Sequence, residues 1–246
     1  MIETYYIGAY WGARKEDALA CARHLATLVQ LLQPIDPLFA SWFKGAKSLK
    51  QSLQRPLELE LSSLQKYIQR NLMRDDRRQP MEDLGFSFGL WNGSQGGNDA
   101  WLSIGCGGYW ERNINRCVLN APFEGTSSER VMTAGFQTQA LRALATAWDP
   151  DWGAALSNVH RDIIAKKCPY AKVGWVTYLS RRLGRVPPLP APVRIEPVED
   201  FGTLIILTPE RFTASNPEHV ALAERVRELL ERAGLLTVKP VQPASP

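Results

Sequence analysis

A chain of 246 residues, 45% hydrophobic and 22% charged, has ordinary globular proportions and can bury a substantial core without a metal or disulfide. Its formal charge of +4 is modest and divides evenly, so neither half is a strongly basic or acidic segment. No apolar run approaches the roughly 20 residues of a membrane span, and no basic, apolar leader follows Met1, which excludes a helical membrane anchor within this sequence.

Residues 3–11 read as a strand rich in aromatics, and a helix begins near Arg14. Within it Ala18, Cys21, Ala22, Leu25, Leu28, Val29 and Leu32 recur at three- and four-residue intervals, which aligns them on one apolar stripe. Arg23, Thr27 and Gln30 fall opposite, and Pro34 and Pro37 stop the helix. Two shorter helices are expected near Pro37–Lys44 and Leu61–Met73.

Leu84, Phe86, Phe88 and Leu90 alternate with Gly85, Ser87, Gly89 and Trp91, the period of two of a half-buried strand. Asn92–Asn98 is a loop by composition. Further strands are expected from Asp99 to about Tyr109 and from about Arg116 to Leu119. A hairpin of the first two sets Trp91 against Trp101, Gly89 against Ser103 and Ser87 against Gly105. The Leu and Phe side chains then share a core face with Leu102 and Ile104. The other face carries two tryptophans among Ser and Gly.

Thr126-Ser127-Ser128-Glu129 fits a capping box for a helix from about Arg130 to Ala147, with Val131, Ala134, Thr138, Leu141, Leu144, Ala145 and Trp148 as its stripe. The motif Trp148-Asp149-Pro150-Asp151-Trp152-Gly153 turns the chain into a short strand. Val173–Leu179 and Gly202–Leu207 read as strands. The proline-rich stretch 186–197 between them is expected as a linker or edge segment, because proline cannot donate to a ladder. The last helix has Asn216 as N-cap, Pro217 at its first position and Gly234 just past its end.

These elements give an α+β fold, a mainly antiparallel sheet with helices packed on it, in one domain over residues 1–239 with a frayed tail at 240–246. Strand blocks near 3–11, 84–91, 99–109 and 171–179 cannot all be joined through helices, as a parallel sheet requires.

The sequence holds no GxSxG, no GxxxxGK[ST] and no HExxH. His24, His160 and His219 are scattered, and Cys21, Cys106, Cys117 and Cys168 form no CxxC pair and have no histidine at ligand spacing. Free thiols without an export signal point to the cytoplasm. Gly105-Cys106-Gly107-Gly108 sits in a strand pattern with no helix after it, so it reads as a bulge or close strand contact rather than a phosphate cradle. Asp149 and Asp151, bracketed by Trp148 and Trp152, are candidates either for acid–base chemistry or for a rigid turn around Pro150. No catalytic residue, metal or cofactor is assigned.

Between Arg161 and Arg194 stand eight Lys or Arg against one acid, Asp162. This basic stretch is a nucleic-acid surface in one reading and a solvated face in another. Eight tryptophans and seven tyrosines remain, residue types that dominate interface hot spots.

The strand Tyr5–Trp11, the helix with Cys21-Ala22-Arg23 and the Trp148–Gly153 turn resemble the immunity protein 52 family. So does the block Phe201-Gly202-Thr203-Leu204-Ile205-Ile206-Leu207-Thr208 with Asn216-Pro217-Glu218-His219-Val220 after it. Within the family the chain looks closest to TsiT-type immunity proteins of the type VI secretion system. The resemblance implies a non-enzymatic cytoplasmic antitoxin that binds a cognate DNA-cleaving toxin of restriction-endonuclease fold, with no membrane or nucleic-acid partner. Active-site occlusion, an exosite and disruption of toxin self-association all stay open as modes. Trp91, Asn92, Asp99 and Trp101 are the residues assigned to the partner, Asp99 because it can meet the basic groove in which a nuclease holds DNA phosphates.

Overall fold

The computed structural model describes residues 3–122, 124–165 and 172–236. β1 (Tyr5–Trp11) leads into α1 (Ala18–Leu32), a 3-10 turn at Pro37–Phe39, β2 (Phe43–Lys44), α2 (Leu49–Leu53) and α3 (Leu61–Arg70). The meander β3 (Phe86–Trp91), β4 (Trp101–Cys106) and β5 (Asn115–Asn120) comes next, then α4 (Ser128–Val131) and α5 (Ala134–Trp148). β6 (Trp152–Ser157), α6 (Asn158–Ala165), β7 (Val176–Ser180), β8 (Arg194–Val198), β9 (Gly202–Ile206) and α7 (Pro217–Arg232) complete the chain order.

The nine strands of the described residues make one antiparallel sheet in the order β2-β3-β4-β5-β1-β6-β7-β9-β8. The first strand sits at its centre, pairing Ile7 with Leu119 of β5 and Tyr5 with Ser157 of β6. The hairpin register is the one the alternation predicts, with Trp91 opposite Trp101, Gly89 opposite Ser103 and Ser87 opposite Gly105.

One face of the sheet is covered by α1, α3 and α5. Asp17 caps α1, its Oδ1 accepting from Ala20 N at 2.7 Å, and all seven stripe residues of that helix are buried. Phe86, Phe88, Leu90, Leu102, Ile104, Cys117 and Leu119 meet them from the sheet. Burying each large apolar side chain contributes roughly 1.5–3 kcal/mol, so this layer is the main source of stability.

The helix expected over 130–147 is two. α4 stops at Val131, and Thr133 restarts the chain as N-cap of α5, its hydroxyl accepting from Phe136 N at 3.2 Å. Arg130 is drawn to Asp36 at 3.0 Å, while the Gln137 amide donates to the Val131 carbonyl at 2.8 Å and satisfies the broken end. The stripe expected from the sequence is nonetheless wholly buried.

β4 ends at Cys106, short of the expected Tyr109. Gly107 takes φ +72°, and Gly85 (φ +71°) passes so close that a β-carbon there would collide with the Cys106 carbonyl. The Gly-rich run is therefore a strand end with a tight backbone approach. The proline-rich stretch leads into β8, the sheet edge, where Pro197 is tolerated. α2, α6 and the two-residue β2 were not read from the sequence. The tail 240–246, Cys168, Lys166 and Lys167 lie outside the described residues.

Candidate functional site

Among the described residues, the second face of the sheet is covered on one half only. α6 packs there on β6, closing a small cluster of Ala154, Leu156 and Ile164, and α7 lies beside α6 across a cleft holding Ile163 and Val220. Thr177, Leu179 and Ile205, which the register turns to this face, are buried. From β3 through β5 to β1 no described helix covers the sheet. That open half is the candidate site.

Two rows of side chains define it. In the first, Ser87, Gly105, Arg116, Tyr10 and Trp152 stand opposite one another on successive strands. In the second, Gly89, Ser103, Val118, Gly8 and Ala154 do the same. Small residues dominate both rows on β3 and β4, so the large rings elsewhere stand clear of their neighbours.

At the α6 side the rings form a basin of about 490 Å³ lined by Tyr6, Tyr10, Ile114, Val118, Trp152 and Arg161 among others. Tyr10 stacks on Trp152 with centroids 4.5 Å apart. The Arg161 guanidinium stands 5.8 Å from the Tyr6 ring, held by Asn158 Oδ1 and Asp162, both at 2.8 Å. Burial, with the Tyr6 phenol adding to it, pushes the Tyr10 phenol up, and burial raises Tyr6 against the pull of Arg161. Both stay neutral near pH 7, so the basin is lined by uncharged phenol rings. Ile114 is 63% exposed beside it.

The residues assigned from the sequence occupy the other end of this face. Trp101 is 47% exposed, and Trp91 leans on Phe43 with centroids 6.4 Å apart. Asp99 is half-buried next to them. Asn92 behaves differently. It is 6% exposed, and its amide donates to the carbonyls of Leu38 (3.2 Å) and Asn98 (3.0 Å) while its oxygen accepts from Ser94 and Ala100. Its hydrogen-bonding capacity is spent on shaping the loop, so it faces inward and sets the position of its neighbours.

Tyr6, Tyr10, Trp152, Ile114 and Val118 were not singled out by the sequence reading. The signal was present in β1, where Tyr6 and Tyr10 alternate with Ile7 and Ala9. Only the strand order shows that their side of β1 is the uncovered one.

Other candidates resolve into structural roles. Asp149 ends α5 in the left-handed conformation (φ 43°), with Arg182 Nη1 2.6 Å from its carboxylate. Asp151 accepts from Gly12 N at 2.9 Å and from Arg182 at 3.3 Å. The two acids clamp a turn. Arg161, Arg181, Arg182 and Arg194 each pair with a carboxylate, which breaks up the basic stretch. His24 bridges Glu16 and the Ala147 carbonyl, His219 accepts from Thr213 N, and His160 is buried against Phe212. Among the described residues no group of three or more His, Cys, Asp or Glu is placed to hold a metal ion.

The model of the family described as Immunity protein 52 matches residues 3–239. The chain belongs to the immunity protein 52 family. That membership supports an immunity role and implies a protein partner, a toxin. The fold is also similar to a type VI secretion system protein of Pseudomonas aeruginosa, PA0821, with TM-score 0.56 and 13% identity over 99% of this chain and 76% of that one. At that identity the likeness speaks for the fold. No curated protein sequence matches the chain. No described helix is long and apolar enough to cross a membrane.

Proposed function

We propose that this chain neutralises a cognate DNA-cleaving toxin of restriction-endonuclease fold, delivered by a type VI secretion system, and so protects the producing cell and its siblings. The observation that carries this reading is the half-face that no described helix covers, where Trp91, Trp101 and the Tyr6–Tyr10–Trp152 basin stand on one sheet. A nuclease kills at very few free copies, so neutralisation calls for picomolar binding, about −16 kcal/mol. Affinity of that order favours a preformed surface with aromatic anchors, because little side-chain entropy is lost on binding. Trp91 and Trp101 act as anchors, Asp99 meets cations of the toxin, and Asn92 holds the loop that positions them. Both partners meet in the cytoplasm, where DNA is exposed.

The test is co-expression with the cognate toxin domain. Survival of the cells and recovery of a stoichiometric complex are expected. Killing despite soluble co-expression, or DNA binding by this chain that falls steeply with salt, overturns the reading in favour of a nucleic-acid module using the Arg161–Arg194 stretch.

A further inference from the structure

A second cleft lies at the β2 edge of the sheet, apart from the aromatic basin, between β2, the segment 54–58 that follows α2, and α3. It encloses about 620 Å³, and four cations line it: Lys44, Arg55, Lys66 and Arg70. Glu58 is the one carboxylate among the lining residues. None of the four cations makes an ion pair among the described residues, and neither do Lys47, just before α2, and Lys50 on it. This sets the cleft apart from the basic stretch at 161–194, where Arg161, Arg181, Arg182 and Arg194 are matched to acids.

The backbone that presents these charges is tied down. Lys44 N donates to Arg55 O at 2.9 Å, and the Ser52 hydroxyl donates to Lys44 O at 2.6 Å. Tyr67 donates to Gly89 O at 3.1 Å, which fixes α3 to the sheet. Concentrating unpaired cations on a fixed frame costs stability through mutual repulsion, and an anionic occupant relieves it. Exposed apolar side chains stand on α2, the helix that runs directly into the lining residues Gln54 and Arg55. Leu49 and Leu53, one turn apart on α2, are 55% and 44% exposed.

We infer that this cleft docks an acidic, leucine-bearing segment of a protein partner. Carboxylates of such a segment meet the four cations while its apolar side chains cover Leu49 and Leu53. A nucleic acid suits the site less well. Tyr67 is the one aromatic ring lining the cleft, and the Lys44 ammonium sits 5.6 Å from its centroid, so no clear ring face is left on which a base can stack.

The test needs no toxin, so its failure and the failure of the immunity reading are separate results. The probe is a labelled synthetic peptide carrying glutamates around two leucines spaced four residues apart, titrated into the whole chain by fluorescence anisotropy. A single-stranded oligonucleotide of equal charge and phosphatidylserine vesicles are titrated in parallel. Lys66→Glu with Arg70→Glu, both exposed positions on α3, is expected to weaken the peptide about tenfold or more. Leu49→Ser with Leu53→Ser is expected to weaken it several-fold while sparing residual salt-sensitive binding. Unchanged peptide affinity in the folded charge-reversal variant overturns the inference. So does tighter binding of the oligonucleotide or of the vesicles than of the peptide.

Discussion

The ring of Tyr10 lies flat over Gly8, its Oη 2.5 Å from where a β-carbon on Gly8 would stand. The glycine gives the ring its seat on the sheet, and the seat brings Tyr10 against Trp152. A centre-strand glycine is a poor choice for sheet propensity, so its value here lies in what it lets the neighbouring side chain do.

Gly8→Ala is therefore expected to lift Tyr10 from Trp152. Tyr10 is half-buried and its ring can move, so the loss of stability should stay near 1 kcal/mol, the low end for overpacking. The Trp152 environment should change more than the stability does. Denaturant unfolding, read together with near-ultraviolet circular dichroism, separates the two.

Two tryptophans should answer in opposite ways to removal. Trp148 is fully buried and stacks on Trp11 with centroids 5.3 Å apart, so Trp148→Ala is expected to lose about 3–5 kcal/mol of stability. Trp101, on the open face, should change stability by about 0.5 kcal/mol or less when made Ala. Thermal or denaturant melts of the two variants check this.

His160 ties stability to pH. Burial holds its imidazole below the ordinary histidine value of 6.5, so the folded state keeps it neutral where the unfolded chain takes up a proton. The unfolded state then binds more protons, and stability falls as pH drops through that value toward the lower folded one. Wild type is expected to be less stable at about pH 5.5 than at about pH 7.5, and His160→Leu should flatten this dependence. Denaturation midpoints at the two pH values give the slope.

Asp149 and Asp151 test the acid–base reading of the turn around Pro150. Their partner Arg182 is half exposed, so the ion pairs are screened, and Asp149→Asn should cost about 0.5 kcal/mol. Asp151→Asn keeps a side-chain oxygen for Gly12 N and should also be mild. The double Asn variant is expected to protect cells as wild type does; loss of protection in a normally folded double variant would revive catalysis.

Local features of this fold were legible in the sequence and non-local ones were not. The α1 stripe and the β3–β4 register follow from periodicity within short windows, and the structure keeps both. The placement of β1 between β5 and β6 rests on pairing across most of the chain, which no window reports, and with it went the knowledge that Tyr6 and Tyr10 face the open side. Asn92 shows the same limit in one residue. Its composition marks a loop, but the Leu38 carbonyl that draws it inward comes from a distant turn. The break between α4 and α5 likewise depends on Asp36, which captures Arg130 from another part of the chain.

The most direct measurement is the affinity of the Trp91→Ala/Trp101→Ala double variant for the cognate toxin domain, compared with wild type in one competition assay. Each anchor is expected to contribute about 2 kcal/mol or more, so the double variant should bind far more than thirtyfold more weakly while melting normally. Wild-type affinity in that folded double variant would contradict the open sheet face as the place where the toxin is held.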